Sequence, residues 1–180
     1  MDASRERENT LATLQAAVLR FEDSLSPRLV TSTGLSLGYA LKGARDRRSV
    51  AAIPGGIKNC DGKVQASALA AFDSDEPVVP AILTVMKFNP RMRSAAVLPF
   101  SENVLAILED DLFLECASFS ANPARQDIST MDWGIAFCCK NGVPDVVYEK
   151  KADMRRSRII LFGEDPSDVA NNIIICSNRM

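Results

Sequence analysis

Two groups of basic side chains are the first residues in this chain that could do chemistry: Lys42, Arg45, Arg47 and Arg48, and further on Arg155, Arg156 and Arg158. Cations this close together can grip a phosphate through charge-assisted hydrogen bonds, and they can equally form a solvated face. Between the two groups lie Met131-Asp132-Trp133-Gly134 and, further along, Asp145. Asp145 could hold a metal or an amine, or it could be the turn residue that starts a strand. Trp133 could stack on a ligand or simply pack an edge. The chain has no histidine, which removes Ser-His-Asp and Cys-His nucleophile pairs, the usual zinc sites and the commonest base near neutral pH. Any catalysis must rest on Asp, Glu, Lys, Tyr, Cys or a metal.

The bulk composition narrows the field further. A length of 180 residues with 47% hydrophobic content fits one domain, residues 1–180, with a full-sized core. A net charge of -2 implies no global field toward nucleic acid or membrane. The opening residues MDASRERENT are charged rather than signal-like, and no apolar run is long enough to span a bilayer, so the expected location is cytoplasmic. Residues 1–7 are expected to be disordered. The 5 cysteines are odd in number and mostly set in apolar surroundings, which favours free buried thiols over a disulfide framework.

The elements that must position these residues can be read from spacing. Leu11, Leu14, Val18 and Phe21 predict an amphipathic helix over 8–21. Residues 35–41 read as a strand, 46–53 as a short helix, and Asp61-Gly62 as the tight turn of a hairpin between 57–60 and 63–71. Pro77 heads a helix with Val78, Ile82, Val85 and Met86 inward, and 94–98 reads as a buried strand. Ser101 caps a helix with Val104, Leu105, Leu108 and Leu112 inward, and 113–119 reads as the next strand. A helix capped by Ser129 or Thr130 then carries Trp133, Ile135, Cys138 and Cys139 to a stop at Asn141-Gly142. Strands follow at 145–148 and 159–162, and Asp165-Pro166-Ser167-Asp168 opens a closing helix. Pattern alone gives a single α/β or α+β domain.

Trp133-Gly134 followed by GVPDVVYE resembles the signature of archaeal-type thiamine-phosphate synthase domains, the ThiN family. The stretches GYALKGARDRRSVAAIPG, AILTVMKFNPRMRSA, FSENVLAIL and ILFGEDPSDVANNI agree in order and spacing, so the resemblance runs from about residue 8 to the end. It implies a three-layer α/β/α domain with a mixed, mostly antiparallel sheet, like class II aldolases and the C-terminal domain of phosphomethylpyrimidine kinase. It also implies a reaction that joins hydroxymethylpyrimidine diphosphate to thiazole phosphate with magnesium, releasing pyrophosphate.

The family pattern places an arginine after the Pro-Gly of the first motif and a histidine at the head of the following helix. Here those positions are Gly56 and Pro77, with Glu76 before the latter. Neither side chain can replace the charge or the proton, so the resemblance implies a catalytically degenerate member that binds a phosphorylated thiamine-pathway ligand, in a sensory or regulatory role. The alternative is an active synthase rebuilt around Lys42, Arg45 and the Arg155–Arg158 segment. Restoring Gly56→Arg and Pro77→His would return trace activity to an otherwise intact cleft.

The ligand residues implied are Ser36, where the family often has asparagine, Lys42, Arg45, Met131, Asp132, Trp133, Gly134, Asp145, Arg155, Arg156 and Arg158. No cofactor is expected to be tightly held, though Mg could accompany a diphosphate. A homodimer is possible, and direct nucleic-acid contact through this chain is not expected.

Overall fold

The computed structural model describes residues 2–30, 34–119, 132–153 and 156–180. Its main sheet is built from β1 (Ser36–Ala40), β2 (Val50–Ala52), β5 (Ala71–Phe72), β6 (Ser94–Pro99), β7 (Cys116–Ser118), β8 (Val146–Glu149) and β9 (Arg158–Gly163). The strand order is β5-β2-β1-β6-β9-β8-β7, and every pairing is antiparallel except β7 with β8. A separate hairpin joins β3 (Ile57–Cys60) to β4 (Lys63–Ala66). Its turn residues Asp61 and Gly62 both have positive φ, 53° and 84°, as a type I′ turn requires.

Helices cover both faces, and the alternation along β9 shows why. Ile159 and Leu161 point into one core with Leu14, Val18 and Phe21 of α1 (Ala3–Ser24) and Val169 and Ile173 of α5 (Pro166–Asn178). Ile160 and Phe162 point into the other with Val78, Ile82 and Val85 of α2 (Val78–Met86) and Ile135 of α4 (Trp133–Cys138). A strand with an unbroken apolar run such as Ile159 to Phe162 must be buried on both sides. This is the three-layer α/β/α arrangement with a mixed, mostly antiparallel sheet.

Several local expectations are corrected. Residues 3–7 are helical rather than disordered, because Asp2 accepts the Ser4 N–H as a cap and Arg7 lies 4.5 Å from the Phe72 ring centroid. The helix read over 46–53 is only a 3₁₀ turn, Arg47–Ser49, before β2. Val50 to Ala52 are claimed instead by pairing with β1. The second hairpin strand ends at Ala66, and Ala71–Phe72 joins the main sheet as β5.

Further along, α3 (Glu102–Ala106) is capped by Ser101 and runs into a π-turn at Ile107–Asp111. That turn leaves Leu112 only partly buried against the core and places Phe113 at φ 54°, so the next strand begins at Cys116 rather than at 113. Ser129 and Thr130, the expected caps of α4, lie outside the described residues. Asp132 caps that helix, accepting the Ile135 N–H at 3.2 Å. α4 ends at Cys138, before the expected stop at Asn141-Gly142. The Asp165 cap with Pro166 in the first turn of α5 is as expected. Among the described residues no helix is long and apolar enough to cross a membrane.

Candidate functional site

A cleft of about 280 Å³ opens where β1, β6 and β9 end together. Ser36 lines it from β1, Val97 to Pro99 from β6, and Arg156 to Arg158 from the approach to β9. Gly55 and Gly56 close one side, and Glu76 and Pro77 at the head of α2 close another. The chain positions at which the resemblance implies an arginine and a histidine therefore face one space.

Gly56 is fixed by its backbone. Its φ is 77°, and a Cβ built there would stand 2.8 Å from the Leu35 carbonyl oxygen. Left-handed φ is costly for any residue with a Cβ, and a backbone oxygen cannot swing aside. Reciprocal bonds between Leu35 and Ile57, each 2.8 Å, hold that carbonyl in place. Across the cleft, Glu76 Oε1 accepts the Gly55 N–H at 2.8 Å and so ties the glycine turn to the head of α2. Pro77 is exposed, with ordinary helical torsions of -58° and -25°.

The cations in the cleft are unequal. Arg158 donates to Asp132 Oδ2 at 2.6 Å and to Glu149 Oε2 at 3.3 Å, in mostly buried surroundings. Glu149 is only 3% exposed and also meets Lys151 at 3.1 Å. Burial makes such pairing obligatory, so the Arg158 charge is already spent on the protein. Arg156 is exposed, and among the described residues its side chain has no ion-pair partner. It is the cleft cation free to meet a phosphate. Ser36 Oγ is enclosed and lacks a hydrogen-bond partner among the described residues. Buried hydroxyls are seldom left unpaired, so this atom is a natural contact for a bound group.

The other expected residues are dispersed. Asp132 belongs to the site indirectly: one carboxylate oxygen caps α4, the other holds Arg158, and its N–H donates to Thr84 Oγ1 of α2 at 2.9 Å. Trp133 is 49% exposed at the start of α4. Gly134 lies under the Phe119 ring, where any Cβ would come within 2.0 Å of a ring carbon, so packing explains the glycine. Asp145 is not among the cleft residues, and its side chain accepts the Glu115 N–H at 2.9 Å ahead of β7. This matches the reading of Asp145 as a turn residue.

Lys42 lies beyond the opposite end of β1, in a separate groove with Glu6, Tyr39 and Arg93, while Arg45 is exposed and outside both spaces. Arg47 is paired with Asp73 at 2.8 Å and Asp75 at 2.6 Å, and these carboxylates raise its pKa further. The structure thus separates the first basic group from the second. Met131 and Arg155 lie outside the described residues.

Among the described residues no Cys, Asp and Glu side chains cluster as a metal site. The cleft carboxylate Glu76 stands alone, and Asp132 and Glu149 are committed to Arg158. The described cleft residues therefore do not form a set that would hold magnesium. Burial pushes the Cys116, Cys139 and Cys176 thiols up to about 11 and raises Cys138 as well, so none is a poised nucleophile.

Glu149 and Glu76 received no role from the sequence. Glu149 stands opposite Arg158 in the β8–β9 register, a pairing visible only once the strands are aligned. Glu76 became visible as the residue beside a missing histidine, but its tie to Gly55 depends on the tertiary fold.

These elements define an α/β/α domain with a small polar cleft at the ends of its central strands. Over residues 13–175 the chain matches the family model described as thiamine-phosphate synthase ThiN, and it belongs to that family. It is 27% identical over 148 residues to the bifunctional thiamine biosynthesis protein ThiDN of Methanocaldococcus jannaschii, covering 81% of this chain and 35% of that protein. It is 26% identical over 128 residues to the thiamine-phosphate synthase ThiN of Methanothermobacter thermautotrophicus, covering 67% of each. The chain thus spans about a third of the first relative. A solved C-terminal domain of phosphomethylpyrimidine kinase superposes with a TM-score of 0.85 at 24% identity, over 94% of this chain and 99% of that one. The thiamine-biosynthesis context follows from the family; the activity of this chain is a separate question.

Proposed function

We propose that this domain binds thiamine phosphate or a phosphorylated thiamine precursor in the cleft and does not couple the precursors, serving a sensory or regulatory role. The observation that carries this reading is that Gly56 and Pro77 line one cleft. Departure of a diphosphate needs preorganised positive charge, and proton transfer needs a titrating group. Glycine and proline supply neither. Arg156 remains to meet one phosphate, with Ser36 as a hydroxyl contact. A diphosphate would bring its own magnesium, and a homodimer would be compatible with the fold.

Isothermal titration with thiamine phosphate tests the binding. Saturable heat in the wild type, weakened at least about tenfold by Arg156→Ala, is expected for loss of a charge-assisted contact. Absence of binding by thiamine phosphate and by both precursors would end this reading.

A second reading, a working synthase, draws on the same cleft, because Arg156, Arg158 and Glu76 line the space shared by Gly56 and Pro77. It requires Arg158 to leave Asp132 and Glu149, and Glu76 to release Gly55. Pyrophosphate release from the paired precursors separates the two readings.

A further inference from the structure

We infer that Glu76 makes the cleft select a phosphomonoester carrying a positive charge, such as the thiazolium ring of thiamine phosphate, over the more anionic diphosphate precursor. This rests on the proposed binding function and names which member of the ligand class the cleft favours.

The inference begins from the charge that lines the cleft. Arg158 is neutralised by Asp132 and Glu149, and Glu149 is shared with Lys151. What remains among the described residues is one free cation, Arg156, and one carboxylate, Glu76, on the same wall as Pro77. Glu76 Oε1 is anchored by the Gly55 N–H, while Oε2 has no hydrogen-bond partner among the described residues. The anchor fixes the carboxylate in position, and the second oxygen stays available to a ligand.

A compound with a single phosphate at one end and a cation at the other matches that pair. A diphosphate not paired with magnesium brings extra negative charge into a space that, among the described residues, offers one free guanidinium and opposes it with a carboxylate. Like charges brought together repel, and specificity arises as much from such repulsion as from attraction. The enclosed Ser36 hydroxyl, without a partner among the described residues, is the neutral contact that both classes could use.

The test measures affinity, in magnesium-free buffer, for three probes on the folded chain: thiamine phosphate, its thiophene analogue with an uncharged ring of the same shape, and hydroxymethylpyrimidine diphosphate. The wild type should bind thiamine phosphate at least tenfold more tightly than either of the others. Glu76→Gln keeps an oxygen for the Gly55 N–H and removes only the charge, so it should shrink both preferences by about tenfold while leaving the melting temperature unchanged. Equal wild-type affinity for thiamine phosphate and its thiophene analogue would overturn the inference without any variant. So would binding of all three probes with unchanged ratios in Glu76→Gln, and in both cases the binding function would stand. If no probe binds the wild type, the binding function itself fails, and the inference fails with it.

Discussion

Replacing Gly56 by alanine isolates the feature that separates this cleft from one carrying an arginine at that position. Two costs apply. The left-handed backbone at φ 77° disfavours any Cβ by about 1–2 kcal/mol, partly offset by a stiffer unfolded chain worth about 0.5–1 kcal/mol. The second cost is steric: 2.8 Å between Cβ and the Leu35 carbonyl oxygen forces a backbone shift, and overpacking of this kind costs roughly 1–3 kcal/mol. Gly43 provides the control, because it has a similar φ of 69° with nothing within 4 Å of a built Cβ. Gly43→Ala should therefore cost about 1 kcal/mol or less, and Gly56→Ala about 2–4 kcal/mol. Urea unfolding of both variants against wild type measures the difference, which corresponds to a gap of roughly 4–8 °C in melting temperature for a 2 kcal/mol difference at this chain length. Equal losses in the two variants would show that Leu35 does not block the position and would refute the steric argument. The same obstruction applies to Gly56→Arg, so restoring the cation also requires the 54–57 turn to move. Pro77→His carries no such penalty, because its torsions are ordinary.

Further predictions follow from the ion pairs and thiols. Arg158→Met should destabilise the fold by about 3 kcal/mol, because Glu149 would stay buried with, among the described residues, only Lys151 beside it. Adding Glu149→Gln should recover part of that loss, and a loss under about 1 kcal/mol in urea unfolding would mean that the cluster is solvated. At pH 8 a thiol-specific dye should label Cys60 rapidly, the half-buried Cys116 and Cys138 more slowly, and the buried Cys139 and Cys176 only on unfolding, since burial raises all four of these thiols. Rapid labelling of Cys139 or Cys176 in the folded protein would contradict the packing described. Because burial pushes the Cys116, Cys139 and Cys176 thiols up to about 11 from an ordinary 9.0, their contribution to stability is fully present below pH 9. It should be lost as pH rises toward about 11, and replacing Cys176 by alanine should flatten that part of a melting-temperature profile.

Much of the fold was legible because periodicity and punctuation agreed. The run Ile159 to Phe162 announced a strand, Asp61-Gly62 announced its turn, and Asp165-Pro166 announced the last helix. The failures came where tertiary pairing outweighed local preference. Val50 to Ala52 could have continued a helix, yet they pair with β1, and the π-turn after α3 shifted the next strand along the chain. Around the site, the positions of Gly56 and Pro77 could be read from motif spacing, but the role of Arg158 could not. Its partners Asp132 and Glu149 lie on different elements, and only the folded chain shows that its charge is consumed internally. Lys42 and Arg156 looked equivalent as basic residues, and they separate because β1 carries its two ends to different clefts.

The most direct measurement supplies hydroxymethylpyrimidine diphosphate, thiazole phosphate and magnesium to the wild-type domain and follows pyrophosphate, with thiamine phosphate binding confirmed on the same preparation. The account predicts binding with no pyrophosphate above the uncatalysed background. Sustained release at an enzyme-like rate that is abolished by Arg156→Ala would contradict it and establish the cleft as a rebuilt catalytic site.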